Sequence, residues 1–123
     1  MSDEKVKLQT RKVRYMKDPL PVRLGNLASN LARLRSFVSQ PEAASRVMRE
    51  SKHFIEWAGP EAELSVQIEL VALQRLLAYW HGRWPIIQGD IVWRQQIAEQ
   101  AQSWSQRILE LSGLLNPVTT KGS

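Results

Sequence analysis

The sequence predicts an all-α fold: an antiparallel up-down four-helix bundle behind a basic N-terminal arm. Three observations carry that expectation. Apolar residues recur at spacings of three and four along most of the chain, proline and glycine interrupt this period at short intervals, and strand-like alternation is confined to the first residues. The expected partition is a basic arm over 1–18, extended or disordered, a bundle over 19–113 and a C-terminal tail over 114–123. The sequence holds no internal repeat, Gly-rich phosphate loop or strand–helix alternation, which argues against an α/β nucleotide-binding fold.

Within the arm, Val6 alternates with Leu8 and Val13 with Tyr15, so this part reads as extended chain. Asp18-Pro19-Leu20-Pro21 closes it, because the prolines bar a helix from running across. Leu24, Leu27, Leu31, Leu34 and Val38 then form the seam of a first helix. Ser39 and Glu42 have capping-box spacing, with Pro41 just inside a second helix. The stripe of that helix is Ala44, Val47, Met48, Phe54 or Ile55, and Ala58.

Gly59 suits a left-handed helix stop, and Pro60 suits the first turn of a third helix, with Glu61 and Glu63 near the positive end of its dipole. Val66, Leu70, Leu73, Leu77 and Trp80 make its seam. Leu64, Ile68, Val71 and Leu76 widen that seam, which places this helix at the centre of the bundle. In "LLAYWHGRWP" it stops: Gly82 fits the left-handed closing position, His81 the last turn, and Pro85 pushes Trp84 into extended chain. Asp90 is the expected N-cap of a fourth helix along Trp93, Ile97, Ala101, Trp104, Ile108 and Leu111, closed by Gly113 and Pro117.

At 123 residues the chain is long enough for one domain with a substantial core. It has no cysteine, which excludes disulfides, thiolate metal sites and cysteine nucleophiles, and fits a reducing compartment. The first residues lack the apolar core of a signal peptide, and no apolar run approaches the roughly 20 residues of a membrane span. The expected location is the cytoplasm. Of the net charge of +5, residues 1–24 carry seven Lys/Arg against three Asp/Glu, whereas residues 59–123 carry five against six. Such asymmetry points the N-terminal half towards an acidic partner, or marks a solvated tail.

Chemistry-bearing patterns are few. Glu50 and His53 have the i, i+3 spacing of carboxylate-bridged metal bundles, but no second pair exists, so neither a metal nor any other cofactor is expected. No serine is flanked by nucleophile-elbow glycines. Arg75 and His81, near the end of a late helix, are similar to the arginine–histidine motif of HEPN-type ribonucleases, which are small helical bundles. The resemblance covers about seven residues, and Leu76 stands where that family carries a polar residue. It implies that Arg75 and His81 act as a catalytic pair on RNA phosphate and hydroxyl. On an ideal helix, six steps at about 100° leave the two side chains about 120° apart.

Two surfaces remain. Lys5, Lys7, Arg11, Lys12, Arg14 and Lys17 on the arm, joined by Arg35, Arg46, Arg49 and Lys52, are candidate contacts to an acidic partner or to nucleic acid. Trp84, Ile86 and Ile87, rimmed by Arg83 and Arg94, lie in the link between the third and fourth helices. They either plug the bundle or form an apolar partner-binding patch. The sequence thus favours a small non-enzymatic interaction or assembly factor, with a protein partner or self-association and no small-molecule substrate. Nucleic-acid binding and a HEPN-like ribonuclease are the alternatives.

Overall fold

The computed structural model describes residues 2–115, and among them five α-helices pack together without a strand. They are α1 (Asp3–Met16), α2 (Leu20–Phe37), α3 (Pro41–Ala58), α4 (Leu64–Ile87) and α5 (Ile91–Ser112), with a 3₁₀ turn at Gly59–Glu61. The fold is all-α as expected, but one helix more than a four-helix count.

The additional helix is the segment expected as an extended arm. Ser2 caps it by accepting from the Lys5 backbone N–H at 3.2 Å, and Asp3 and Glu4 occupy its first turn, where the helix dipole favours negative charge. The alternation was misleading because Leu8 and Tyr15 are seven residues apart, as are Val6 and Val13. On a helix each pair therefore shares a face. Tyr15 is buried and Leu8 partly so, whereas Val6 and Val13 stay exposed.

Tyr15 stacks on Phe54 at a ring-centroid distance of 4.2 Å, and Arg11 pairs with Glu50 at 3.4 Å. The matched offsets show that α1 runs parallel to α3. The remaining helices alternate in direction: Ser105 Oγ donates to the Ala28 carbonyl between α5 and α2, and Lys52 meets His81 while Trp84 meets Pro41 between α3 and α4. α2 packs most extensively on α5 and α3, while α4 packs mainly on α3. α4 and α5 meet through long side chains, Arg107 on Glu69 at 3.2 Å and the Tyr79 ring 6.4 Å from that of Trp93.

The core is built mainly on the seams the sequence defines, of which Val38, Trp93, Trp104 and Leu111 are only partly buried. Leu24, Leu27, Leu31 and Leu34 on α2, Ala44, Val47, Met48, Phe54, Ile55 and Ala58 on α3, and Val66, Leu70, Leu73, Leu77 and Trp80 on α4 are buried together with Ile97, Ala101 and Ile108. At one end of this core lies Arg23, only 3% exposed. Its guanidinium donates to both Glu61 carboxylate oxygens at 2.7 and 3.0 Å and to the Asp18 carbonyl at 2.9 Å. The Tyr15 hydroxyl donates in turn to the Arg23 carbonyl at 2.8 Å. Burial pushes the Tyr15 phenol well above its ordinary pKa, so it stays a donor.

Three local expectations are corrected. Gly59 is right-handed (φ −54°, ψ −47°) and opens the 3₁₀ turn instead of closing α3 in a left-handed conformation. No side chain caps α3, so the Ser39–Glu42 box does not form; Gln40 stands at the N-cap. Most consequentially, α4 passes through Gly82 and Pro85 and ends at Ile87. An interior proline costs about 3 kcal/mol. Burying Trp84 and Ile87, 3% and 5% exposed, returns about 1.5–3 kcal/mol for each side chain and adds a 2.8 Å bond from Trp84 Nε1 to the Pro41 carbonyl. Burial therefore overrides the proline. Asp90 caps α5 as expected, accepting from Val92 and Trp93 N–H, and Gly113 closes it at φ +82°. Pro117 and the tail beyond Leu115 lie outside the described residues.

Candidate functional site

α4 has two apolar faces. The inner one comprises Val66, Leu70, Leu73, Leu77, Trp80, Trp84 and Ile87, all buried. The outer one holds Leu64, Ile68, Val71, Tyr79 and Ile86, and at about 100° per residue these lie within a stripe about 100° wide. Leu64, Ile68 and Ile86 are 71%, 63% and 79% exposed, and Ile91 and Val92 at the start of α5 are exposed as well. The expectation that Leu64, Ile68, Val71 and Leu76 would place this helix at the bundle's centre is thus overturned, although Leu76 does pack against the core. Neighbours α3 and α5 cover only one side of α4, and α2 is the central helix.

Ala78 and Gly82 complete the stripe with small residues, and Arg75 is its one charged member, with no carboxylate within 4 Å among the described residues. Tyr79 marks its edge, where the Arg83 guanidinium carbon lies 4.9 Å above the ring centroid and Trp93 packs from α5. An apolar stripe of this length on a water-facing helix is the usual mark of a protein contact.

The sequence-derived partner patch divides. Trp84 and Ile87 plug the end of the bundle, as part of the core. A partner anchor on Trp84 is therefore excluded by its burial. Ile86 points outward and joins the α4 stripe. Arg83 engages Tyr79, and Arg94 donates to the Gln88 carbonyl at 3.2 Å, bracing the short α4–α5 connection.

The basic candidates also divide. Lys7, Arg11, Arg46 and Arg49 converge on an open groove of about 560 Å³ between α1 and α3, over an apolar floor of Leu8, Phe37 and Val47. Glu4, Glu50 and His53 line it too. Glu50 is held in place by Arg11 and by Asn30, which donates to it at 2.9 Å. Arg14 and Lys17 flank a shallow hollow on the outer side of α1, beside exposed Val6 and Val13. Lys5, Lys12 and Arg35 are exposed away from the groove lining. Lys52 turns to the other side of α3, where its Nζ donates to His81 Nδ1 at 3.0 Å.

That contact fixes the state of His81. Burial, reinforced by Lys52 and Arg49, holds His81 below the ordinary histidine value, so the ring is neutral and accepts at Nδ1. Because α4 is unbroken from Leu64 to Ile87, Arg75 and His81 remain six residues apart on regular helix: Arg75 on the outer stripe, His81 against α3. The fold does not bring them together within the chain. His53 pairs with Glu56 at 3.0 Å and stacks on Trp57, so Glu50 and His53 do not combine; among the described residues no cluster of three His, Asp or Glu gathers.

Compared with protein-family models, curated proteins and solved structures, the chain matches none of them. The sequence reading missed Val71, Ile68 and Leu64 as surface residues, although their signal is present: apolar residues occupy both faces of one helix, and a helix apolar all round needs neighbours all round.

Proposed function

We propose that this chain is a non-catalytic assembly module that docks a helical protein partner along the outer face of α4, while the cationic α1 contacts acidic groups. The observation that supports this reading is the exposure of Leu64, Ile68, Val71 and Ile86 on one continuous helix face. Each such side chain is worth about 1.5–3 kcal/mol on full burial, so covering four of them is enough to offset part of the association cost of about 4–15 kcal/mol. A helix with its own apolar stripe is the partner shape that fits a straight ridge of this kind.

A photo-crosslinking residue at Ile68, compared with one at exposed Gln106 on α5, tests it in cells that make the protein. The expected outcome is one discrete protein adduct from position 68, lost when Val71→Asp is added, and none from position 106. Equal labelling at both positions, or none at 68, overturns the reading.

A second reading has its own observation. Lys7, Arg11, Arg46 and Arg49 around the α1–α3 groove suit a phosphate backbone. The logarithm of the binding constant for a short RNA or DNA duplex would then fall linearly with the logarithm of salt concentration, and binding would weaken in the Arg46→Glu, Arg49→Glu double variant. Binding insensitive to salt, or to that double variant, removes this reading.

A further inference from the structure

The outer stripe has a finer pattern than exposure alone. Leu64, Ile68, Val71, Arg75, Ala78 and Gly82 follow one another at spacings of 4, 3, 4, 3 and 4, the period of a coiled-coil seam. The positions flanking that seam are Ser65, Gln67, Ala72, Gln74, Tyr79 and His81, none of them a carboxylate or a lysine or arginine. Bulk is distributed unevenly along it: the N-terminal half carries Leu64, Ile68 and Val71, the C-terminal half Ala78 and Gly82. Gly82 itself has no explanation inside the chain. It lies within α4 at a right-handed conformation, and a Cβ built there meets no atom within 4 Å. Glycine is the least favoured helix residue after proline, so a position with free space and helical geometry gains from any side chain. Of the other open glycines, Gly59 and Gly89 sit in connections where a helix former has no such advantage, and Gly113 closes α5 at a positive φ that favours glycine.

We infer that α4 pairs with α4 of a second copy of this chain, antiparallel and in one register. This rests on the proposed docking role of the stripe and names its occupant. Antiparallel seams interlock first-type with second-type heptad positions, and a two-fold centred near Leu73 sets Leu64 against Gly82 of the other copy, Ile68 against Ala78, and Val71 against Arg75. Large residues then fill the places left by small ones, twice over, as an isologous contact requires. The same register staggers the two Arg75 side chains along the axis, where each covers Val71 with its aliphatic stem and sends its guanidinium to water. A single cation at a seam position selects register at a cost in affinity. α4 has 24 residues and is therefore about 36 Å long, so a strip about 10 Å wide along it covers roughly 360 Å² on each copy, the size of a weak, transient contact. The dimer is accordingly a weak and reversible one.

Sedimentation equilibrium of the full chain across micromolar concentrations, with three variants, tests the pairing. Gly82→Leu fills the gap on the outer face without touching the core; it is expected to weaken the dimer at least tenfold while leaving thermal unfolding of the dilute protein unchanged or raised. Arg75→Leu removes the interfacial charge and is expected to tighten the dimer at least tenfold. Gln106→Leu adds the same bulk on exposed α5 and is expected to change neither. A wild-type chain that stays monomeric throughout, or a dimer indifferent to both Gly82→Leu and Arg75→Leu, overturns self-pairing. If such a monomer still gives the discrete adduct at position 68 with a different protein, self-pairing fails and the broader docking reading survives; if the adduct also fails, both fall.

Discussion

The two faces of α4 are built from the same kinds of residue and meet opposite fates. Leu70, Leu73 and Leu77 are at most 1% exposed, whereas Leu64 and Ile68, on the same helix a turn or two away, are 71% and 63% exposed. The inner face packs mainly against α3 and joins the common core; the outer face is covered by nothing among the described residues. Apolar character therefore reports how many neighbours a helix is made for, and the fold reports how many of them the chain itself supplies. On α4 the difference is one full face.

That comparison can be broken most severely from the inside. Leu73→Ala leaves a cavity in a fully buried site and is expected to cost about 2–5 kcal/mol in urea unfolding of the dilute protein, while Ile68→Ala changes stability by less than about 0.5 kcal/mol. Comparable losses at the two positions would erase the distinction between the faces. Trp84→Phe probes the inner face more gently. It leaves the Pro41 carbonyl without its 2.8 Å partner, and a loss of about 1–2 kcal/mol is expected by the same measurement, against no loss for Ile86→Ser two residues later on the outside.

The smallest effect is a pH dependence at the flank of α4. His81 has a folded pKa below its unfolded value, so the unfolded chain takes up the proton first. Stability at this site is intact above the ordinary value of 6.5 and declines as pH falls through the lowered folded value. Thermal unfolding followed between pH 7.5 and 5 should show a slope that His81→Gln flattens; an unchanged slope in that variant would contradict the neutral ring held by Lys52.

Most of the fold was legible because core seams are local statements about period. Leu24 through Leu34, Ala44 through Ala58 and Val66 through Trp80 needed only spacing to be identified, and Asp90 and Gly113 only cap chemistry. What the sequence obscured were contests between a local rule and a distant contact. Pro85 obeys its local rule in cost, yet Pro41, 43 residues away, offers the carbonyl that keeps Trp84 helical. Tyr15 lies in a segment that alternates like a strand, and only Phe54 and the Arg23 carbonyl reveal it as the buried end of a helix. The candidate site was legible in residues but not in orientation. Ile86 carries its apolar signal in the sequence, Trp84 fits plug and patch alike there and is helical where Pro85 suggested extended chain, and the outer stripe reads as a wider core because period alone does not say which of two apolar faces finds a neighbour.

Arg23 and Trp84 seal opposite ends of the bundle, and they do so with different materials. At the Arg23 end, the α1–α2 and α3–α4 connections converge on a guanidinium bridged to Glu61, whose carboxyl that hydrogen bond holds below the usual carboxylate range. At the Trp84 end, the α2–α3 and α4–α5 connections close over indole and isoleucine, with a neutral bond from Trp84 to the Pro41 carbonyl, and the charged Arg94 and Asp90 lie outside that plug. The molecule is thus chemically polar from end to end although its helices alternate in direction. Strong acid, by protonating Glu61, weakens the first seal, whereas the buried indole and isoleucine of the second carry no titrating group and yield chiefly to heat and denaturant. Partial unfolding should accordingly have a direction that the experimenter selects by choice of solvent.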